Sequence, residues 1–243
     1  MDIGILGTGS IASALVEGIA PDGHRITVSE RSAPRAARLA GMFANVRVAP
    51  NQEVLDTSEV VFLGLLAAAA PKVLKGLRFR PNQRIISLMA GATLAELAPL
   101  VAPARAVAIA LPFPGIARGG SPVLLMGEDE PARTILGARN PIFRMQNAQE
   151  LRAYLCAQAV LSPAAALVGE TAGWLGARVE NAAQAEAFLR TLIGTSLLGS
   201  AVAPLLQALD TPGGYNQRLR AHMQGHGMGA ALVSGLDALE RGD

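Results

Sequence analysis

The stretch IGILGTGSIASALVEGI, residues 3–19, decides the fold. An apolar strand pattern runs directly into GTGSIA, residues 7–12, and a helical pattern follows. This is the G-x-G-x-x-A form of the dinucleotide fingerprint, in which glycines permit a tight turn and a close approach of the backbone to a pyrophosphate. The helix N-terminus adds partial positive charge. The residues predicted to bind the dinucleotide here are Gly7, Thr8, Gly9, Ser10 and Ile11.

Short apolar runs alternate with helical segments up to about Asn147, and long helical patterns take over from about Gln149. Such alternation predicts a parallel sheet with helices on both faces. We therefore predict an α/β fold with a Rossmann-type domain over residues 1–147 and an all-helical domain over residues 148–243. The predicted strands are Ile3–Leu6, Arg25–Ser29, Val46–Ala49, Val60–Leu65, Arg84–Met89, Ala106–Ala110 and Val123–Met126.

Composition narrows the class of protein. The chain of 243 residues is 51% hydrophobic and 16% charged, which describes a globular protein, and its net charge of +2 is too small to indicate nucleic acid or an anionic membrane as a partner. Its N-terminus has no basic region before the first strand, so we predict no signal peptide. The single cysteine, Cys156, excludes an intrachain disulfide and fits a reducing cytoplasm.

Two uncharged stretches, residues 153–169 and 191–209, approach the length of a membrane span. Polar residues and Pro204 interrupt them. We predict buried helices instead, covered by a second subunit, and therefore at least a homodimer with no membrane partner.

The end of the second predicted strand bears on the choice of cofactor. Glu30 lies about twenty residues past the glycines, where a carboxylate binds a ribose 2′-hydroxyl and favours NAD. The next residues, Arg31 and Ser32, suit the 2′-phosphate of NADP. Arg35 and Arg38 follow at helical spacing and either extend a phosphate site or form a solvated face. We predict NADP or NAD, with a slight preference for NADP.

Three further segments are typical of one protein family: ISLMAGATL (86–94), ALPFP (110–114) and TPGG (211–214). Together with the N-terminal fingerprint, they resemble pyrroline-5-carboxylate reductases, and the likeness spans nearly the whole chain. The resemblance implies a helical C-terminal dimerisation domain and NAD(P)H-dependent reduction of a cyclic imine carboxylate in proline biosynthesis. It also places four residues beside the cofactor: Leu65, Leu66, Ala90 and Gly91.

In that family a glycine-rich turn opens a helix of the dimer domain and binds the substrate carboxylate. The resemblance gives this role to Thr211 and Asn216 as side-chain donors, with the amides of Gly213 and Gly214 between them. The physical reason is that consecutive glycines at a helix start leave N–H groups unshielded, and the helix dipole favours an anion there. We predict no metal at either site.

This chain departs from the family pattern at three places. Leu65-Leu66-Ala67 stands where the family has Val-Lys-Pro, and Leu111-Pro112-Phe113-Pro114 lacks the family's asparagine. Tyr215 and Asn216 replace two threonines. The cofactor prediction survives these changes better than the substrate prediction does.

Other candidate groups are few. The only lysines, Lys72 and Lys75, lie in the first half, which argues against the lysine-dependent β-hydroxyacid dehydrogenases. His222 and His226 have i, i+4 spacing without a third ligand, and His222 either helps to hold substrate or is exposed. Glu170 either faces an active site across a dimer or is a structural carboxylate, paired with Arg178 or with the partner chain. The spacing of three leucines predicts a buried helix face: Leu232, Leu236 and Leu239.

Three functions stay open. The first is an NAD(P)H-dependent reductase of a small carboxylated imine. The second is a reductase of the same fold with a different hydride partner, such as a deazaflavin or a hydroxy or oxo acid. The third, motivated by the departures at Leu66, Phe113 and Tyr215, is a catalytically silent nucleotide-binding protein.

Overall fold

A computed structural model describes residues 1–242 of the chain. The chain divides into two units, Met1–Leu151 and Arg152–Asp243. The first contains all the strands of the described chain, and the second is helical. The division falls four residues after the domain boundary predicted at residue 147, within the helix Ala148–Ala157.

The sheet has eight strands in the order β3-β2-β1-β4-β5-β6-β7-β8. Neighbours are parallel except β6 and β7, which pair antiparallel. This is the predicted Rossmann-type sheet with an antiparallel addition at one side. The strands are β1 (Asp2–Leu6), β2 (Arg25–Ser29), β3 (Val46–Ala49), β4 (Val60–Leu63), β5 (Arg84–Ser87), β6 (Arg105–Pro112), β7 (Val123–Gly127) and β8 (Ile142–Arg144).

Helices cover both faces of the sheet and make up all the regular secondary structure of residues 152–242. The helices are α1 (Ser10–Ile19), α2 (Ala33–Met42), α3 (Asn51–Asp56), α4 (Ala70–Leu74), α5 (Leu94–Val101), α6 (Ala132–Leu136), α7 (Ala148–Ala157), α8 (Leu161–Gly176), α9 (Ala183–Gly199), α10 (Val202–Ala208), α11 (Tyr215–Gly225) and α12 (Met228–Arg241).

The core of the first unit lies in two layers. Ile3 and Ile5 of β1 face a cluster that includes Leu15 and Ile19 of α1, and all four are at most 1% exposed. Leu6 belongs to a second cluster on the other face. Successive strand residues point to opposite faces, so a sheet buried on both sides needs the continuous apolar runs found in the sequence.

The predicted strands are all present, but five of them differ at their ends. β1 and β7 are one residue longer than predicted, β6 runs from Arg105 to Pro112 rather than from Ala106 to Ala110, and β4 and β5 are shorter than predicted. β4 stops at Leu63 rather than Leu65, because the chain leaves the sheet at Gly64, and β5 stops at Ser87 rather than Met89. The three-residue strand β8 was not predicted. Its side chains are half-buried or exposed, so it lacks the buried apolar run by which the others were found.

The helical unit has almost no core of its own. Among residues 152–242 only Ala185 and Leu189 are buried. The prediction that Leu232, Leu236 and Leu239 form a buried face is wrong within one chain, since Leu232 is 42% and Leu239 46% exposed. Sequence periodicity identifies an apolar helix face, but it does not show whether the same chain covers that face.

Candidate functional site

The candidate cofactor site lies where the strand order of the sheet reverses. β1 and β4 are neighbours although they are not consecutive in the chain. In open α/β sheets, ligands bind in the crevice at the carboxyl ends of strands at such a switch point. The loop at residues 7–9 follows β1, and residues 64–66 follow β4, so the fold places two predicted segments at this edge.

Gly7 makes the tight turn that the fingerprint predicts. Its φ is +93°, and a Cβ at this position would lie 2.5 Å from the carbonyl oxygen of Gly64. Its N–H donates to Ser29 Oγ at 2.8 Å. Gly7 therefore shapes the loop, and its amide is not available to a ligand.

Gly9 leaves the space that a phosphate needs. It is the N-cap of α1, and the nearest atom to a Cβ built there is the Gly64 oxygen at 4.0 Å. The first helical hydrogen bond runs from Ser13 N to Gly9 O, so the preceding amides of Ser10 and Ile11 have no acceptor within residues 1–242. The first turn of α1 holds no acidic residue, which keeps the positive end of the helix dipole available for an anion.

Thr8 adds a further unpaired donor. Its side chain is buried, and its Oγ1 has no hydrogen-bond partner in the part of the chain that the structure describes. Buried hydroxyls nearly always have a partner, so this one is an exception beside a row of free amides. The donor set of this loop fits the diphosphate of a dinucleotide.

Two residues that contact this loop, Gly64 and Ser29, were not predicted as site residues from the sequence. A Cβ on Gly64 would lie 2.5 Å from Gly7 O and 2.7 Å from the Cβ of Ala12, so only glycine lets β4 approach this loop. The signal for Gly64 was a glycine inside an otherwise apolar run. Ser29, whose buried hydroxyl accepts from Gly7 N–H, gave no comparable signal.

The predicted adenosine end of the site is a cleft of about 480 Å³. Glu30 and Arg31 line it from the 3₁₀ turn Glu30–Ser32, which directly follows β2. The remaining lining residues are Asn51, Ala69, Lys72 and Val73. The two residues that gave conflicting cofactor signals therefore share one cleft.

The other residues predicted to bind the 2′-phosphate do not line this cleft. Arg38 pairs with Glu17, and its Nη1 contacts Met42 Sδ at 3.1 Å, which makes it part of a solvated helix face. Arg35 and Ser32 are absent from the lining as well. Of the two interpretations of the α2 arginines, the structure supports the surface one for Arg38.

The predicted nicotinamide edge follows β4 and β5. Leu66 is 80% exposed, Leu65 is half-buried, and Ala69 N and Ala70 N donate to Leu66 O at 2.9 and 3.1 Å. Ala90 and Gly91 are exposed in the turn after β5, where Gly91 has a φ of +85°. These residues share the carboxyl edge of the sheet with the glycine loop.

A capping box fixes the helix that follows this turn. Thr93 Oγ1 accepts from Glu96 N at 3.2 Å, and the Glu96 carboxylate accepts from Thr93 N–H at 2.9 Å. Hydrogen bonds from the Thr93 backbone and hydroxyl lower the pKa of the Glu96 carboxyl below its ordinary value. The turn at Ala90 and Gly91 is thereby held at one end by an ordered helix start.

The predicted substrate turn lies in the helical unit. Gly213 has a φ of +73°, Gly214 is the N-cap of α11, and Thr211 and Asn216 are exposed beside them. Tyr215, the first helical residue, is 90% exposed. The turn and the helix start are thus where the sequence placed them.

The prediction that both glycine amides are free is wrong. Gly213 N–H donates to Gln217 Oε1 at 2.7 Å, and Gly214 N–H donates to Thr211 O at 2.9 Å. Gln217 is the third helical residue, and from there its side chain reaches back to the turn. The first helical hydrogen bond of α11 runs from Arg218 N to Gly214 O. At this helix start, the amides of residues 215–217 therefore have no acceptor within residues 1–242.

The remaining candidates form no metal site. The rings of His222 and His226 lie 4.3 Å apart, but no group of three His, Cys, Asp or Glu side chains within residues 1–242 could hold a metal. Arg178 Nη1 donates to Trp174 O at 2.7 Å, and its guanidinium stacks on the Trp174 ring. The Glu170–Arg178 pair is therefore not formed.

Glu170 instead lines an apolar groove of about 660 Å³ in the helical unit. The groove runs between α8 and α12, with Leu167 and Leu232 among its walls. Cys156 is half-buried and lies outside it. The continuous helical stretch Ala148–Gly176 is long and apolar enough to cross a membrane, and only 6% of its apolar window is buried.

Comparison with known proteins supports the cofactor half of the site. Residues 2–91 match the family described as NADP oxidoreductase coenzyme F420-dependent. A pyrroline-5-carboxylate reductase of Pseudomonas aeruginosa is 30% identical over 125 residues, which span 49% of this chain and 46% of that relative. The sequence match thus covers about half the length of the curated relative.

Solved structures extend the likeness to the whole chain. 1-Pyrroline-5-carboxylate reductase from Streptococcus pyogenes has a TM-score of 0.81 at 21% identity, with 98% of this chain and 96% of that one covered. Pyrroline carboxylate reductase of Plasmodium falciparum, solved with NADP bound, has a TM-score of 0.82 at 13% identity over 99% and 96%. These matches confirm the resemblance predicted from the motifs, and they show the fold of both units.

Proposed function

We propose that this chain is an NAD(P)H-dependent reductase that transfers a hydride to the C=N carbon of a small carboxylated imine. Pyrroline-5-carboxylate is the first substrate to test, and proline biosynthesis is the corresponding role. One observation carries the proposal: a diphosphate cradle with unpaired donors lies at the switch point of a fold shared with pyrroline-5-carboxylate reductases. When bound, the nicotinamide supplies the hydride.

The chain's part in the reaction is to bind and orient. The amides of Ser10 and Ile11 hold the diphosphate, and the open space at Gly9 lets it approach. Leu65 and Leu66 offer an apolar wall beside the nicotinamide ring. A protonated imine is already electrophilic, so the site needs no strong general acid, and the absence of lysine after Lys75 is no obstacle.

The amides at the start of α11 hold the substrate carboxylate in this proposal. Residues 215–217 supply the N–H groups, and the side chains of Thr211 and Asn216 supply further donors. Gly213 and Gly214 make the sharp turn that exposes this helix start, because a φ of +73° strains any other residue at position 213. Tyr215 adds bulk at the mouth and narrows the range of acids.

A direct assay tests the function. Purified protein is mixed with NADPH or NADH and pyrroline-5-carboxylate, and the loss of reduced-nicotinamide absorbance is followed. Oxidation that requires the imine supports the proposal. Oxidation only with another cyclic imine keeps the reaction class and rejects this substrate, whereas no oxidation with any imine carboxylate contradicts the proposal.

Asn216→Ala should raise KM for the imine about tenfold, because the carboxylate loses one hydrogen bond to a charged group. The Kd for NADPH should not change, since Asn216 belongs to the helical unit. Steady-state kinetics and calorimetric titration measure the two constants. Asn181→Ala, an exposed asparagine outside the turn, is the control. An unchanged KM in N216A would remove this side chain from the substrate site.

A second function has its own support. The matched family is described as coenzyme F420-dependent, and residues 2–91 carry that match. The chain would then exchange a hydride between NADP and a deazaflavin. Assays with the paired cofactors and no imine separate this reaction from imine reduction. Tight NADPH binding without turnover on imines, oxo acids or deazaflavin would favour the catalytically silent alternative.

We further propose that the active form is a homodimer, located in the cytoplasm, in which a second copy covers the groove between α8 and α12. Within residues 152–242, the helical unit buries only Ala185 and Leu189, and a fold needs far more buried apolar surface than that. Polar residues within the helical stretch, Gln158, Ser162 and Glu170, suit a protein surface as partner better than lipid.

Leu232→Arg should give a monomer with a lowered melting temperature, because it places a charge in the groove. Sedimentation velocity measures the mass, and thermal unfolding measures the stability. Val48→Arg changes an exposed apolar side chain of β3 and should leave the dimer intact. A wild-type monomer, or recovery of the wild-type protein only with membranes, would contradict the assembly proposed here.

A further inference from the structure

The cleft at the predicted adenosine end is lined by segments that follow three strands, β2, β3 and β4, and β1 lies between β2 and β4 in the sheet. Glu30 and Arg31 follow β2, Asn51 begins α3 after β3, and Lys72 lies in α4 after β4. Carboxyl ends of parallel strands share one edge of the sheet, which is why side chains so far apart in sequence meet here. Lys72 is one of only two lysines in the chain.

The charges of this cleft do not cancel. Arg31 and Lys72 are cations, and Glu30 is the only anion among the lining residues. None of the three forms an ion pair or a side-chain hydrogen bond with another residue in 1–242. The two cations outnumber the one carboxylate, so the cleft has a net positive charge, and removal of the Lys72 charge would bring the sum to zero.

The arginines of α2 do not contribute positive charge to this cleft. Arg38 is engaged with Glu17, and Arg35 does not line the cleft. A cation that stays unpaired in a cleft beside a carboxylate is available to an anionic ligand. At the end of the second strand, the dinucleotide fold presents the 2′ position of the adenosine ribose.

We propose that Lys72, together with Arg31, holds the 2′-phosphate of NADP(H), and that Lys72 is the residue that makes the chain prefer NADPH over NADH. This inference rests on the proposed function, since it assumes a nicotinamide dinucleotide in the crevice. Without Lys72, the repulsion of a 2′-phosphate by Glu30 offsets its attraction to Arg31. With Lys72, the cleft attracts the phosphate and Glu30 limits the affinity for it.

Calorimetric titration of the full-length protein with NADPH and with NADH, at constant ionic strength, tests the inference. Wild type should bind NADPH more tightly than NADH. Lys72→Gln should raise the Kd for NADPH about tenfold or more, as expected on loss of one charged hydrogen bond, and change the Kd for NADH less than about twofold. Lys75→Gln, the other lysine and outside the cleft, should change neither constant. Lys72→Arg should retain most of the preference for NADPH.

Four outcomes overturn the inference: a wild type that prefers NADH, an unchanged Kd for NADPH in K72Q, an equal loss of both cofactors in K72Q, or an equal loss of NADPH in K75Q. In each case binding of a nicotinamide dinucleotide persists, and the proposed reductase function stands. A wild type that binds neither cofactor overturns that function as well. Binding of 2′,5′-ADP, which contains the phosphate without the nicotinamide, should follow the same pattern as NADPH across the variants.

Discussion

Gly9→Val should abolish dinucleotide binding, with the Kd for NADPH raised at least about a hundredfold, while the protein stays folded. The backbone at Gly9 has φ −69° and ψ −177°, which valine adopts without strain. The nearest protein atom to the new Cβ is the Gly64 oxygen at 4.0 Å, an ordinary van der Waals contact, so the side chain projects into the space left for the diphosphate. Loss of that close approach removes the amide contacts that hold the phosphates.

Two measurements separate binding from folding in this variant. Titration calorimetry gives the Kd, and urea unfolding gives the stability, which should fall by about 1 kcal/mol or less because valine is a poor N-cap. Gly41→Val, at an exposed position in α2 without neighbours, is the control and should leave the Kd unchanged. If G9V bound NADPH as tightly as wild type, the diphosphate could not lie at this loop.

Gly18→Ala should destabilise the first unit by about 3 kcal/mol, the upper range for overpacking a buried site. An added Cβ would lie 2.3 Å from the carbonyl oxygen of Ile116 and 3.1 Å from its carbonyl carbon. Both are backbone atoms of the 3₁₀ turn Pro114–Arg118, so no side-chain rotation relieves the clash. Arg139 Nη1, which donates to Gly18 O at 3.0 Å, loses its geometry as α1 moves away.

The matched control for this variant is Gly41→Ala. It makes the same chemical change inside a helix of equal length, but a Cβ there has no neighbour within 4 Å. Alanine at an exposed helix position should stabilise by up to about 1 kcal/mol. Urea midpoints therefore move in opposite directions in the two variants. Equal shifts would mean that α1 and the 3₁₀ turn are not in contact in solution.

The parts of the site within one local motif could be predicted from the sequence. The glycine loop was found because strand, turn and helix are consecutive, and Glu30 was found by its distance from that loop. Gly64 and Lys72 were missed as site residues because they are far in sequence from the glycine loop and from Glu30. Gly64 directly follows β4, and Lys72 lies in the next helix. Their proximity to the loop and to Glu30 follows from the strand order, which one-dimensional spacing does not give.

The helical unit was harder to predict for a different reason. Its leucine spacing correctly indicated helices, but burial depends on what covers them, and residues 1–242 leave Leu232 42% and Leu239 46% exposed. At the start of α11, the TPGG motif gave the turn, yet Gln217 satisfies an amide that the motif alone left free. A side chain three residues into a helix is easily read as part of its surface rather than as a cap.

The contact between Gly7 and Gly64 fixes how close β1 and β4 come at their carboxyl ends, since two bare backbones touch there. No amino acid is smaller than glycine. A larger residue at one position therefore cannot be compensated by a smaller residue at the other. In genetic terms, a mutation at one of these two glycines has no suppressor mutation at the other. Descendants of this sequence that keep the crevice must inherit both glycines together, however far the surrounding residues drift.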